Sequence, residues 1–108
     1  MVIHAALAVQ RIHALARGAP CVLLGDFNIK PGDAAYQLVT EGALDPSNSA
    51  YPTAPAFEKW RPDLDEPMNS AYVSANGAEP EFTNHTVRCA TTHLTLLMCA
   101  RGQAVLRV

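Results

Sequence analysis

The sequence predicts an α/β fold, and three stretches near its start carry that prediction. An amphipathic pattern occupies residues 2–17, a short apolar run occupies residues 20–24, and a second helical pattern occupies residues 34–41. Helical patterns on both sides of a buried-strand pattern are typical of domains in which helices cover a sheet. The chain has 108 residues, so we expect one small domain. Its net charge of −2 argues against a strongly basic nucleic-acid-binding surface.

The first element is predicted to be a helix over residues 2–17. Apolar residues form one stripe along it with helical periodicity: Val2, Ala5, Ala8, Val9, Ile12, Leu15 and Ala16. Gly18 and Pro20 then favour the end of the helix. Ile3 and Leu7 lie outside the stripe, which predicts a second neighbour for this helix. The polar side also carries two histidines that we expect to be solvated, His4 and His13.

The second element is predicted to be a strand at residues 20–24, buried on both faces because its residues are apolar without alternation. It leads into Gly-Asp-Phe-Asn at residues 25–28. Because side chains alternate along an extended chain, we expect Asp26 and Asn28 on one face and Phe27 in the core. Open α/β sheets bind ligands at the carboxyl ends of their strands. Asp26 and Asn28 are therefore candidate functional residues, unless they only satisfy backbone groups of the loop.

The next elements are predicted to be a turn at residues 29–32 and a helix over residues 34–41. Asp33 is a suitable N-cap for this helix, and Gly42 is suited to close it. Tyr36 on this helix is predicted to belong to the core rather than to a cleft.

Residues 44–67 contain five of the eight prolines and predict a long loop, with a turn of helix near residues 57–60. Trp60 beside Arg61 either pins this loop to the domain or forms a stacking platform for a base. The first interpretation is favoured. After the loop, residues 70–72 are predicted to pack under the sheet, Asn76 and Gly77 to form a turn, and residues 82–84 to enter a short strand.

Two blocks of residues together resemble a known family. The first block is Gly25-Asp26-Phe27-Asn28, followed by Pro31 and the helix that carries Tyr36. The second block comprises Met68-Asn69-Ser70-Ala71-Tyr72, Asn76-Gly77, Glu79-Pro80 and Phe82-Thr83-Asn84. In this order they resemble the endonuclease/exonuclease/phosphatase superfamily, and within it the branch of carbon catabolite repressor-type deadenylases and nocturnin. The resemblance covers residues 2–88, the middle of the family's domain.

The resemblance implies a single partial α/β sandwich over residues 1–108 and a Mg²⁺-dependent phosphodiesterase, a 3′-to-5′ exoribonuclease acting on poly(A). Asp26 would orient or deprotonate the attacking water and help to hold Mg²⁺, and Asn28 would donate to a phosphate oxygen. Asn84 is a candidate on the substrate side, with a structural role as its alternative. A nucleotide phosphate, a phosphoinositide or DNA remain open as substrates within the superfamily.

The family pattern stops near Arg88. No Asp or Glu follows Glu81, and the family's aromatic residue and Asp fall at Cys89 and Leu94. The family's Asp-His pair and its upstream Glu also have no counterpart. The resemblance therefore implies a fragment that lacks several catalytic residues and is inactive alone, with a departing tail at residues 89–108. The alternative is a non-catalytic, truncated interaction or regulatory protein.

Two further observations concern cysteines and compartment. His85, Cys89 and His93 recur every four residues, so on a helix they would share one face and offer a zinc site; we favour a strand there. Three widely spaced cysteines do not suggest a disulfide framework and favour a reducing compartment. Because residues 1–15 also lack the unbroken apolar core of a signal peptide, we expect an intracellular protein, cytoplasmic or nuclear. No apolar run is long enough to span a membrane, so we expect no membrane partner.

Overall fold

A computed structural model describes residues 1–53, 59–81, 83–86, 89–91 and 96–99. Its elements are α1 (Val2–Ala16), β1 (Cys21–Leu24), α2 (Ala34–Glu41), β2 (Asn69–Ser70), α3 (Ala71–Asn76), β3 (Asn84–Thr86), β4 (Cys89–Thr91) and β5 (Leu96–Cys99). The strands form two antiparallel sheets, one of order β1-β5-β2 and one of β3 with β4. None of the described helices is long and apolar enough to cross a membrane.

Helix α1 follows the predicted pattern at its start and departs from it at its end. Its buried residues are Val2, Ala5, Ala6 and Val9. The helix stops at Ala16 because Arg17 adopts a left-handed conformation (φ 50°), one residue before the predicted Gly18. Leu15 is 64% exposed, so its place in the predicted apolar stripe was wrong. The last turn of α1 extends past the core.

Strand β1 is not buried on both faces, so that prediction was wrong. Its burial alternates: Cys21 and Leu23 pack against the core, whereas Val22 is 45% and Leu24 is 65% exposed. The physical reason is that β1 is an edge strand of the described sheet and α1 packs against only one of its faces. Ile3 and Leu7 of α1 are also exposed, as their position outside the predicted apolar stripe implies.

The stretch that departs from the family pattern supplies the central strand of the three-stranded sheet. β5 pairs with β1 in the register Cys21 with Cys99 and Leu24 with Leu96, and it pairs with β2 on its other side. β1 and β2 are therefore joined through β5. The sequence at 96–99, a run of Leu-Leu-Met-Cys, suits a central strand because it lacks charge and proline.

The core lies between α1, α2 and the end of the proline-rich loop. Leu38 and Met68 are fully buried in it, as is Val9 of α1. The loop returns to α2 through two backbone hydrogen bonds. The N–H of Leu64 donates to the carbonyl of Gly42 (2.7 Å), and the N–H of Met68 donates to the carbonyl of Val39 (2.8 Å). The predicted loop is confirmed for its described residues, which contain no helix or strand. The turn of helix predicted near residues 57–60 falls partly on residues 54–58, which lie outside the described residues, and residues 59–60 are not helical.

Helix α2 has the predicted bounds, and Gly42 closes it in a left-handed conformation. Asp33 occupies the N-cap position without capping by its side chain. Its Oδ2 instead accepts the backbone N–H of Lys30 at 2.9 Å, and its own N–H donates to the Lys30 carbonyl at 3.0 Å. Asp33 therefore closes the turn before the helix.

Helix α3 was not predicted as a helix. Ser70 is buried and caps it, since the Ser70 hydroxyl accepts the N–H of Val73 at 3.4 Å. Ala71 is buried and Tyr72 packs against the core, as expected, but Ser70 lies in β2 and so belongs to the sheet instead of packing under it. Gly77 adopts φ 81° and ends the helix, so the predicted Asn76-Gly77 turn is a helix C-terminus.

We expect Leu38→Ala to lower the free energy of unfolding by about 2–5 kcal/mol, because truncating a fully buried leucine leaves a cavity. The matched control is Leu15→Ala, which removes the same atoms from an exposed position of α1 and should change stability by less than about 1 kcal/mol. Chemical denaturation followed by circular dichroism measures both. Equal losses for the two variants would contradict this account of the core.

Candidate functional site

The candidate site begins where β1 ends. Asp26 and Asn28 are both exposed, whereas Phe27 between them is half-buried and packs against the core. The expected exposure of Asp26 and Asn28 and the packing of Phe27 are therefore confirmed, whereas the shared face of the two polar side chains stays a prediction. Gly25 leaves room for the ring, because a Cβ at that position would lie 3.1 Å from Cζ of Phe27, closer than most Cβ contacts. The aromatic ring thus folds over the glycine and anchors the loop that presents the two polar residues.

Asp26 and Asn28 are also linked through the backbone. The Asp26 Oδ1 accepts the backbone N–H of Asn28 at 3.3 Å. Asn28 itself has a left-handed backbone (φ 51°), which asparagine tolerates better than most residues. An Asp that accepts the N–H two residues later is a common turn-forming arrangement. The alternative structural role of Asp26 is therefore present in the fold, and it also fixes the position of Asn28.

Asn28 lines a cavity of about 380 Å³ between the start of α1 and the start of α2. Ala34 and Ala35, in the first turn of α2, line the same cavity, as does Asp33. The N-terminus of a helix carries a partial positive charge and favours anions. The Asp33 carboxylate opposes an anion there, although one of its oxygens is occupied by the Lys30 N–H. The cavity therefore offers an amide side chain and a helix N-terminus to one ligand.

Asn84 lies apart from these residues in the described topology. It is the first residue of β3, in the two-stranded sheet, and its backbone is paired with that of Thr91. The placement of its side chain lies outside the described part of the chain. Its role on the substrate side stays a prediction.

Asp26 fits part of a magnesium site. Mg²⁺ is commonly held by one or two carboxylates together with waters and substrate phosphate oxygens. Among the residues that the structure describes, no group of three or more His, Cys, Asp or Glu side chains is arranged to hold a metal ion. Asp26 therefore offers one exposed carboxylate to such an ion. The zinc alternative required His85, Cys89 and His93 to lie on one helix. His85 lies instead on β3 and Cys89 on β4, and His93 is outside the described residues.

Tyr36 forms a contact that the sequence did not predict. Its hydroxyl donates to Oε1 of Glu79 at 2.8 Å and so ties α2 to the segment after α3. Burial, the hydrogen bond to Glu79 and the negative charge of Glu79 raise the pKa of Tyr36 to about 12. The ring also packs against the core, so the predicted core position is confirmed. A tyrosine and a glutamate separated by 43 residues leave no local signal of such a pair.

A second, more polar cavity of about 530 Å³ lies at the end of α1, against residues 63–66. Gln10 donates to the carbonyl of Asp63 at 3.0 Å across it. His13 lines this cavity, and its Nε2 is buried without a hydrogen-bond partner among the described residues. The expectation that His13 is solvated was therefore wrong for this atom, whereas His4 is exposed as expected. The polar face of α1 meets the returning loop, which periodicity alone does not reveal.

The chain was compared with protein-family models, curated proteins and solved structures, and none of the three comparisons found a match. The site is therefore interpreted from its own residues and from the resemblance of its motifs.

We expect Asn28→Ala to be less stable than Asn28→Gly by about 1 kcal/mol, because alanine is strained at the positive φ of this position and glycine is not. Thermal or chemical denaturation of the two variants measures the difference. Equal stabilities would show that residue 28 does not hold a left-handed conformation in solution.

We expect stability to fall as the pH rises from about 10 to about 12. The pKa of Tyr36 is 10.0 when unperturbed and about 12 in the folded chain, so the unfolded state loses this proton first and alkali favours unfolding. Below pH 10 the contribution is fully present. Tyr36→Phe should remove this component of the pH dependence in a denaturation series. An unchanged alkaline slope in that variant would contradict the Tyr36–Glu79 assignment.

Proposed function

We propose that this chain is part of an intracellular, cytoplasmic or nuclear, Mg²⁺-dependent phosphodiesterase of the 3′-to-5′ exoribonuclease type, with poly(A) as substrate. The observation that carries the proposal is the joint exposure of Asp26 and Asn28 at the carboxyl end of β1, with Asn28 beside the first turn of α2. The motif resemblance supplies the reaction class. The partial α/β sandwich of that family is the fold to which we assign the chain.

Asn28 is the residue that we assign to the phosphate. A carboxamide NH₂ is a donor and suits a non-bridging phosphate oxygen. The N-terminal turn of α2 faces the same cavity and adds a partial positive charge. Fixed donors aimed at phosphate oxygens stabilise the charge that develops there during displacement. The left-handed backbone of Asn28 supports this role, since strained conformations are found at sites where a side chain must be aimed.

Asp26 is the residue that we assign to the attacking water. Its carboxylate is exposed and can accept a proton from a water that approaches the phosphorus atom. Asp26 would also hold Mg²⁺ through a carboxylate oxygen, and the bound ion would supply charge neutralisation at the phosphate. The hydrogen bond from the Asn28 N–H holds one carboxylate oxygen in place.

Two residues make an incomplete catalytic set. The described residues offer no cluster of metal ligands around Asp26, and the resemblance assigns no further catalytic residue to the chain. We therefore expect the isolated chain to bind substrate with Mg²⁺ and to turn it over slowly or not at all.

The second candidate function is a non-catalytic interaction or regulatory protein. The hydrogen bond between Asp26 and the Asn28 N–H favours it, because it gives both residues a purely structural reason to be there. The exposed apolar side chains of β1 are also compatible with a partner surface.

The deciding experiment measures the binding of a fluorescein-labelled oligo(A) by anisotropy, with and without Mg²⁺, and the release of nucleotides from it. We expect Mg²⁺ to strengthen binding, and we expect Asp26→Asn to remove that gain. Asp65→Asn is the matched control: it makes the same charge change at an exposed position away from Asn28, and it should keep the gain.

The outcomes separate the two candidates. Mg²⁺-dependent binding that is lost in Asp26→Asn and kept in Asp65→Asn supports the phosphodiesterase, and nucleotide release with the same pattern would make the chain itself catalytic. If Mg²⁺ changes neither binding nor release in the unaltered chain, the non-catalytic candidate holds.

A further inference from the structure

A cavity of about 320 Å³ lies within the proline-rich loop and is lined mainly by rings. Its walls are Tyr51, Trp60, Arg61 and three prolines, Pro46, Pro52 and Pro62. Tyr51 and Trp60 are half-buried and pack against the core, so the loop is pinned to the domain as predicted. The prolines limit the backbone freedom of the walls. The cavity is therefore a recess lined mainly by aromatic and proline rings.

Trp60 lines the recess, but its indole nitrogen does not open into it. The Nε1 atom is buried and has no hydrogen-bond partner among the described residues. Because this atom is shielded from solvent, the recess offers a ligand the aromatic surface of Trp60 and not its N–H. Arg61 lies next in the chain, and its Nη1 donates to the carbonyl of Trp60 at 3.0 Å, which holds the guanidinium near the recess.

The recess shares a wall with the cavity at Asn28. Pro52 lines both cavities, Ala50 lines the one at Asn28, and Tyr51 lines the recess. A ligand that occupies the cavity at Asn28 therefore has a neighbouring aromatic site on the other side of residues 50–52. Neither His4 nor the polar cavity at the end of α1 takes part in this arrangement.

We propose that the recess formed by Tyr51, Trp60 and Arg61 is a base-stacking subsite for single-stranded RNA, which receives the base of a nucleotide next to the phosphate at Asn28. The position of that phosphate rests on the proposed function, whereas the stacking itself does not. Bases stack on aromatic side chains whatever their identity, and Arg adds a cation–π and phosphate contribution.

The net charge of the chain does not favour nucleic-acid binding, so the proposed subsite depends on stacking. The chain carries a net charge of −2, so the general attraction that most nucleic-acid-binding proteins use is missing. Affinity must then come from base contacts, and binding should depend weakly on salt. The same rings also suit a proline-rich peptide, but Arg61 at the recess and the shared wall with Asn28 favour RNA.

Trp60 is the only tryptophan in the sequence, so its fluorescence reports directly on the recess. The experiment titrates the full chain with oligo(A) in EDTA, where Mg²⁺-dependent events are absent. We expect saturable quenching of Trp60, with an abasic oligonucleotide of the same length producing little. Tyr51→Leu keeps apolar packing but removes one ring, and it should weaken binding by about tenfold. Circular dichroism verifies that this variant is folded.

Arg61→Ala and Lys59→Ala form a matched pair, since both remove an exposed positive charge and only Arg61 lines the recess. We expect weaker oligo(A) binding for Arg61→Ala and unchanged binding for Lys59→Ala. Equal losses in the two variants, or equal quenching by the abasic oligonucleotide, would overturn the proposal. So would an absence of quenching by oligo(A), or quenching by a proline-rich peptide in its place.

The two proposals fail separately. If oligo(A) binding does not depend on Mg²⁺ and oligo(A) still quenches Trp60 in Asp26→Asn, the stacking subsite is supported and the phosphodiesterase is rejected. If oligo(A) binding depends on Mg²⁺ and Trp60 is not quenched, the phosphodiesterase is supported and the stacking subsite is rejected.

Discussion

The packing of α2 under the returning loop is the constraint on which the rest of the described structure depends. Leu38 fills the centre of the core, and the carbonyls of Val39 and Gly42 receive the N–H groups of Met68 and Leu64. These two hydrogen bonds close a loop of more than twenty residues on the same helix that faces Asn28 at its other end. One short helix therefore positions both the candidate phosphate site and the aromatic recess.

In the described part of the chain, the β1 strand of the three-stranded sheet is covered by a helix on one face only. α1 packs against β1, and the opposite face of β1 exposes Val22 and Leu24. Asp26 and Asn28 continue the exposed side of that strand, so the polar residues lie where the covered core ends and the open face begins. Residues at this position are accessible to a large ligand, and the neighbouring residues Phe27 and Ile29 anchor them to the core.

Asp26 has a structural role in the turn and a proposed chemical role in the site. It accepts the N–H of Asn28, and a carboxylate has further lone pairs for a water or a cation. The two assignments are compatible because one oxygen serves the turn while the carboxylate stays exposed. Asn28 combines them as well, since its tolerance of a left-handed backbone and its amide group are separate properties. Substitutions at residue 28 can therefore test the backbone conformation and the amide group separately.

The sequence by itself determined the local structure: the bounds of α2, the course of α1 up to its last turn, the proline-rich loop, and the division of Asp26 and Asn28 from Phe27. Each follows from periodicity, turn residues or alternation, which act within a few residues. Only the tertiary structure decided that β1 is open on one face, that β5 lies between β1 and β2, and that Tyr36 meets Glu79. Those features depend on which distant segments fill the space beside each element, and no short pattern encodes that.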